Sequence, residues 1–222
     1  MDGVSSESDP RPRFLPQQAW ILQPTRLVGD VHADASNFAN GVTKEEAYEQ
    51  VLIQAEGLLD GQRNWQGRSP ILVLISGTNL ANTASLLWHA YHSLPAPSNA
   101  VNWAGFYVLD PSTSTSPSSA KQSLILGPFM GKVACQQIPF GRGVCGAAAA
   151  TRQTQLVADV DAFPGHIACD GDSRSEVVVP IVVEDKLVAI IDVDCAERDG
   201  FDEVDRVWLE RLAGLLAGGC DW

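Results

Sequence analysis

From residue 43 onward the chain follows two hydrophobic periods, and the change from one to the other falls near residue 101. Ala47, Val51, Ala55 and Leu58 recur at three- and four-residue spacing, which places them on one face of a helix. Thr43 precedes them with Glu46 three residues on, a reciprocal capping pair, and Gly61 ends the run. Leu80, Ala84, Leu87 and Tyr91 repeat the spacing and predict a second helix over about 79–94, stopped before Pro95. Between them lies GRSPILVLISGT (67–78), a β-prone block with no obvious partner, read as a possible insertion.

Beyond residue 101 the apolar runs shorten. VNWAGFYVL (101–109), SLILGPF (123–129), KVACQQI (132–138), QLVAD (155–159), EVVVPIVV (176–183) and LVAIIDVD (187–194) predict six strands. EDK (184–186) joins the last two as a hairpin. A short helix runs to about Arg152, and an amphipathic helix begins at Asp202, carrying Val204, Val207, Trp208, Leu212 and Leu215. The polar linker DPSTSTSPSSAKQ (110–122) and the irregular stretch 160–175 fall outside these elements. The pattern gives one α+β domain over 41–222, a six-stranded, mainly antiparallel sheet flanked by helices. Residues 1–40, rich in Pro, Ser, Asp and Gln, predict a flexible N-terminal extension.

A hydrophobic content of 45% over 222 residues suffices for one substantial core. The net charge of -12, with 15 basic against 27 acidic side chains, excludes a nucleic-acid backbone as partner. ILVLI (71–75) is too short to span a membrane, and the N-terminus lacks a basic start followed by an apolar run. A cytoplasmic, reducing setting follows as the expectation. There the five cysteines serve redox chemistry, metal binding or packing rather than structural disulfides.

Gly141, Gly143 and Gly146 spell G-x-G-x-x-G before a run of alanines, and Asp159 sits about where a dinucleotide site places its ribose-binding acid. The following elements argue against that site, because a tight hairpin replaces the helical crossover between parallel strands. The glycine loop also carries a thiol, Cys145.

GKVACQQIPFGRGVCG and GHIACDGDSRSEVVVP contain Cys135, Cys145 and Cys169. With NWAGFYVLD, LILGPFMGK and LVAIIDVDC, these stretches closely resemble the free methionine-R-sulfoxide reductases, enzymes built on a GAF domain. The resemblance runs from about residue 32 to 218 and is densest over 101–195. It implies a GAF-like fold and reduction of free methionine-R-sulfoxide to methionine, with no bound cofactor or metal. It also implies renewal by thioredoxin, itself fed by NADPH through thioredoxin reductase, and it allows a homodimer. By the same resemblance Cys169 is the nucleophile, Cys135 the main resolving thiol and Cys145 a second one. Trp103 and Tyr107, four apart on a strand and so on one face, would wall the thioether methyl.

Local chemistry points a different way for the thiols. Cys145 near a helix N-terminus beside Arg142 favours a thiolate, whereas Asp170 and Asp172 disfavour one at Cys169. Asp192 and Asp194 share a face of their strand, and the hairpin pairs Glu176 near 194. Three carboxylates thus crowd together, so at least one titrates high enough to serve as a general acid, Glu176 in the family pattern. The others can receive the ammonium of a free amino acid, and Arg142 and Arg174 are candidates for its carboxylate. Cys195 and Cys220 read as packing residues. His166 with Cys169 lacks the second ligand pair of a zinc site. Two alternatives remain at this level: a ligand-sensing GAF module, for which the thiols are superfluous, and a redox switch without turnover.

Overall fold

Capping, periodicity and turn chemistry produce the elements in the order the sequence suggests. The computed structural model describes Phe38 and residues 41–60, 77–114, 122–166 and 170–222. Cys169, most of 1–40 and most of the 67–78 block lie outside the described residues. Helix α1 spans Lys44–Leu59, and Thr43 and Glu46 exchange both capping-box hydrogen bonds. Helix α2, Thr78–Ser93, buries Leu80, Ala84, Leu87 and Tyr91. The strands are β1 (Val101–Leu109), β2 (Ser123–Gly131), β3 (Gln137–Pro139), β4 (Gln155–Val157), β5 (Ser175–Val183) and β6 (Lys186–Cys195). Helix α3 (Gly143–Thr151) lies between β3 and β4, and α4 (Glu203–Gly219) follows β6.

The six strands form one antiparallel sheet in the order β3-β2-β1-β6-β5-β4. Alternation assigns its two faces. Ala104, Phe106, Val177, Val179, Ile191 and Val193 join the apolar faces of α1, α2 and α4 in the larger core. Trp103, Tyr107, Val178 and Ile190 point the other way and meet Val144, Cys145, Ala148 and Ala149 of α3 in a smaller one. The β5–β6 turn contains only Glu184 and Asp185, both at positive φ, since Val183 pairs with Lys186.

Two expectations shift. Residues 132–136 do not continue a strand, because Gly131 at φ +126° turns the chain out of the ladder. Trp103 Nε1 then donates to the Lys132 carbonyl at 3.1 Å, and Leu126 N–H to the Gln136 carbonyl at 3.0 Å, fastening both ends of that segment. In α4 the buried positions are Asp205, Leu209, Leu212, Ala213 and Leu216, so of the predicted stripe Leu212 is buried, Trp208 and Leu215 pack on the core's margin, and the centre of the buried face is rotated. The reason is polar. Asp205 accepts from Lys44 Nζ at 2.6 Å, Tyr48 Oη at 2.9 Å and Tyr91 Oη at 3.3 Å, so an acid holds a place that periodicity assigns to an apolar residue.

Candidate active site

The end of the sheet beneath the start of α3 gathers the chemistry. Register puts Trp103, Asp194 and Glu176 in one row across β1, β6 and β5, with Gly105, Asp192 and Val178 in the next. Such a row presents its side chains on one face. The glycine loop brings α3 over this face. Gly141 and Gly143 adopt positive φ, and a Cβ on Gly146 would lie 2.5 Å from the Pro139 carbonyl oxygen. Turn geometry and close backbone approach therefore account for the G-x-G-x-x-G spacing. Asp159 is likewise accounted for, paired with Arg198 at 3.2 Å and accepting from Asp161 N–H.

Between these parts opens a cavity of about 520 Å³, counting its mouth. Cys135, Cys145, Glu176, Asp192 and Asp194 all line it, with Arg142, His166, Asp170 and Ser173. Trp103 and Tyr107 are not among its lining residues. They stack at 5.8 Å behind it, 2% and 1% exposed, on the same face as the carboxylates. Arg174 lies away from the cavity and donates to the carbonyls of Gly171 and Ser173.

Burial and crowding raise the carboxyls of Glu176, Asp192 and Asp194. Burial, then Asp192 and Asp194, push the Glu176 carboxyl well above its ordinary range. Burial also raises Asp192 to about 6, and burial with the Asp192 charge raises Asp194. Among the described residues Asp192 Oδ1 has no hydrogen-bond partner, an unmet acceptor at the wall of a cavity. The Cys145 thiol donates to Glu176 Oε1 at 3.4 Å and is pushed well up by burial and by the charges of Asp192 and Glu176. The helix-start argument for a Cys145 thiolate is thereby overturned: desolvation and two acids outweigh half a helix charge.

Cys145, Glu176 and Asp192 bring ligand atoms within 4.8 Å of one another, near enough to share a cation. Such binding requires all three ionised, and burial drives all three toward the protonated form. Cys135 is disulfide-bonded, whereas Cys145, Cys195 and Cys220 remain thiols. The last two are 0% and 3% exposed, as packing residues should be.

Sequence reasoning missed the residues that frame this site. Lys132 pairs with Asp170 at 3.5 Å and with Asp172, offsetting the acids that flank position 169. Asn102 Nδ2 donates to Asp170 Oδ2 at 3.3 Å and Ser173 Oγ at 3.1 Å. These partners lie about 40 to 70 positions apart and follow no period, so no local signal announces them.

The described helices include none long and apolar enough to cross a membrane. Comparison with known proteins gives the lineage. A GAF domain family model matches residues 99–218. The chain is 50% identical over 190 residues to the free methionine-R-sulfoxide reductase of Saccharomyces cerevisiae, covering 85% of this chain and 94% of that protein. It resembles a solved GAF domain at 48% identity and a TM-score of 0.73, over 88% of this chain and 99% of the other. It also resembles the free methionine-R-sulfoxide reductase of Neisseria meningitidis solved in complex with its substrate. There the identity is 37% and the TM-score 0.66, over 81% of this chain and 91% of that one. Likeness of this extent, over a chain folded as a six-stranded GAF sheet with Cys135, Cys145 and three acids at one cavity, establishes that it belongs to the GAF-domain family of free methionine-R-sulfoxide reductases.

Proposed function

We propose that the chain reduces free L-methionine-(R)-sulfoxide to methionine through a cysteine sulfenic acid and an intramolecular disulfide, in the reducing cytoplasm. The observation that carries this reading is the disulfide at Cys135 on the wall of a cavity lined by three crowded carboxyls, all of raised proton affinity.

In this mechanism the Cys169 thiolate attacks the sulfoxide sulfur. Glu176, whose hold on its proton is strengthened by burial and like charge, supplies that proton to the sulfoxide oxygen. The oxygen passes from the substrate sulfur to Cys169 Sγ as the S–O bond and the transient Sγ–S bond break, so the thioether is released and Cys169 is left as a sulfenic acid. The Cys135 thiol attacks that sulfur, and water departs as the disulfide forms. An outside dithiol, with thioredoxin as the expected donor, returns two electrons by exchange. Asp192 and Asp194 receive the substrate ammonium, and the unmet Asp192 Oδ1 offers it an acceptor. Trp103 and Tyr107 back the pocket for the methyl group from beneath. Cys145, held protonated against Glu176, is a poor first nucleophile and suits the secondary resolving role.

The test supplies racemic free methionine sulfoxide with dithiothreitol and follows both epimers by chiral chromatography. The R epimer should disappear, the S epimer should persist, and Cys169→Ser should abolish turnover. Comparable consumption of peptide-bound methionine sulfoxide would overturn the ammonium recognition, because a peptide nitrogen carries no charge.

A further inference from the structure

We infer that Val133 is the docking residue for the protein dithiol that reduces the Cys135 disulfide, and that Cys135 is the sulfur this partner attacks. The inference builds on the disulfide cycle above and names the surface on which its last step takes place.

Val133 is 88% exposed, the most exposed of the large apolar side chains among the described residues. It stands two positions before a bridged cysteine. The segment that carries it is fastened at Lys132 by the Trp103 indole and at Gln136 by Leu126 N–H. Between those ties it takes no part in the sheet ladder. Ala134 and Cys135 pack on the smaller core, so the inner side is anchored while Val133 faces water. Lys132, beside it, is engaged by Asp170 and Asp172. Cys145, Cys195 and Cys220 are 6%, 0% and 3% exposed, beyond the reach of another protein's active site, whereas Cys135 is half-buried. Exchange depends on access to the attacked sulfur, and an apolar residue set beside that sulfur on a fixed, unpaired segment suits a partner that binds extended chain.

The step balances as ordinary exchange. The partner's thiolate forms a bond to Cys135 Sγ while the existing S–S bond breaks, and the other cysteine leaves as a thiolate. The partner's second thiol gives up its proton and attacks the mixed disulfide, releasing Cys135 and carrying away the oxidised pair.

The test uses the oxidised full-length chain with thioredoxin, thioredoxin reductase and NADPH, or with dithiothreitol alone. Thiol formation is followed in the native chain and in Val133→Asp, Val133→Ser and Val133→Ile. Loss of one interfacial anchor predicts a rate with thioredoxin about tenfold lower for Val133→Asp. Val133→Ser should be intermediate, Val133→Ile near native, and dithiothreitol should act alike on all four. An unchanged thioredoxin rate in Val133→Asp, or equal slowing with both reductants, overturns the docking role. Thioredoxin lacking its second active-site cysteine should be trapped on Cys135 by peptide mapping, and capture on another cysteine overturns the choice of sulfur. None of these readouts involves a sulfoxide. A chain reduced as described that consumes no methionine sulfoxide would therefore refute the proposed reaction and leave the docking surface standing.

Discussion

Replacing Asp192 by Asn should stabilise the protein while impairing its reaction. The carboxyl is buried, has one oxygen without a partner, and ionises only near pH 6 instead of its ordinary 3.8. A rise of that size corresponds to about 3 kcal/mol of disfavoured ionisation. Because the folded chain holds this proton more tightly than the unfolded one, the penalty is absent below the unfolded value. It grows as pH rises from about 3.8 and is complete above about 6. Asparagine carries no such penalty and removes a like charge facing Glu176 and Asp194. Its own amide still loses water, so we expect a net gain of about 1–3 kcal/mol at pH 8, or several degrees in Tm for a domain of this size. The gap should shrink toward zero near pH 4. Urea unfolding of both proteins at pH 4, 6 and 8, in the same redox state, measures it. An Asp192→Asn chain less stable than the parent at pH 8, or a gap independent of pH, would refute the account of these acids as a stored electrostatic cost.

Three other perturbations test the framework. Asp205→Ala removes the buried acceptor shared by Lys44, Tyr48 and Tyr91, leaving Lys44 its pair with Asp202, and should cost about 3 kcal/mol by the urea midpoint with m unchanged. Glu184→Asn with Asp185→Gly relieves two side-chain-bearing residues at positive φ, and should add about 1–2 kcal/mol in thermal unfolding without changing turnover. Gly131→Ala sets a Cβ 2.8 Å from Trp103 Cδ1 at a φ of +126°, and should cost about 2 kcal/mol or more and shift tryptophan fluorescence.

Much of this was legible in advance because period and turn chemistry act locally. The Thr43–Glu46 cap, the α2 stripe and the pairing of Glu176 with Asp194 all follow from spacing within one helix or one hairpin. The gathering of the three acids was legible because strand parity fixes which side chains share a face, whereas Cys135 and Cys145 were tied to them by the family resemblance. Where the answer depends on partners distant in sequence, spacing has nothing to say. Asp205 displaced the α4 face because Lys44, Tyr48 and Tyr91 converge on it from two other helices. Cys145 lost its anionic character to acids supplied by β5 and β6. The 132–136 segment looked like a strand because the departure at Gly131 is a backbone event that composition does not reveal.

The alternation along β6 has a consequence for how such a protein can change. Ala189, Ile191, Val193 and Cys195 answer to the three-helix side, while Ile190 answers to the smaller core and Asp192 and Asp194 to the cavity. One strand is thus a partition between two sets of demands that scarcely share an atom. Mutation can retune what the cavity accepts, exchanging one polar group for another, without disturbing the helices that keep the molecule folded. A sheet arranged this way tolerates experiment on one side because the other side anchors it.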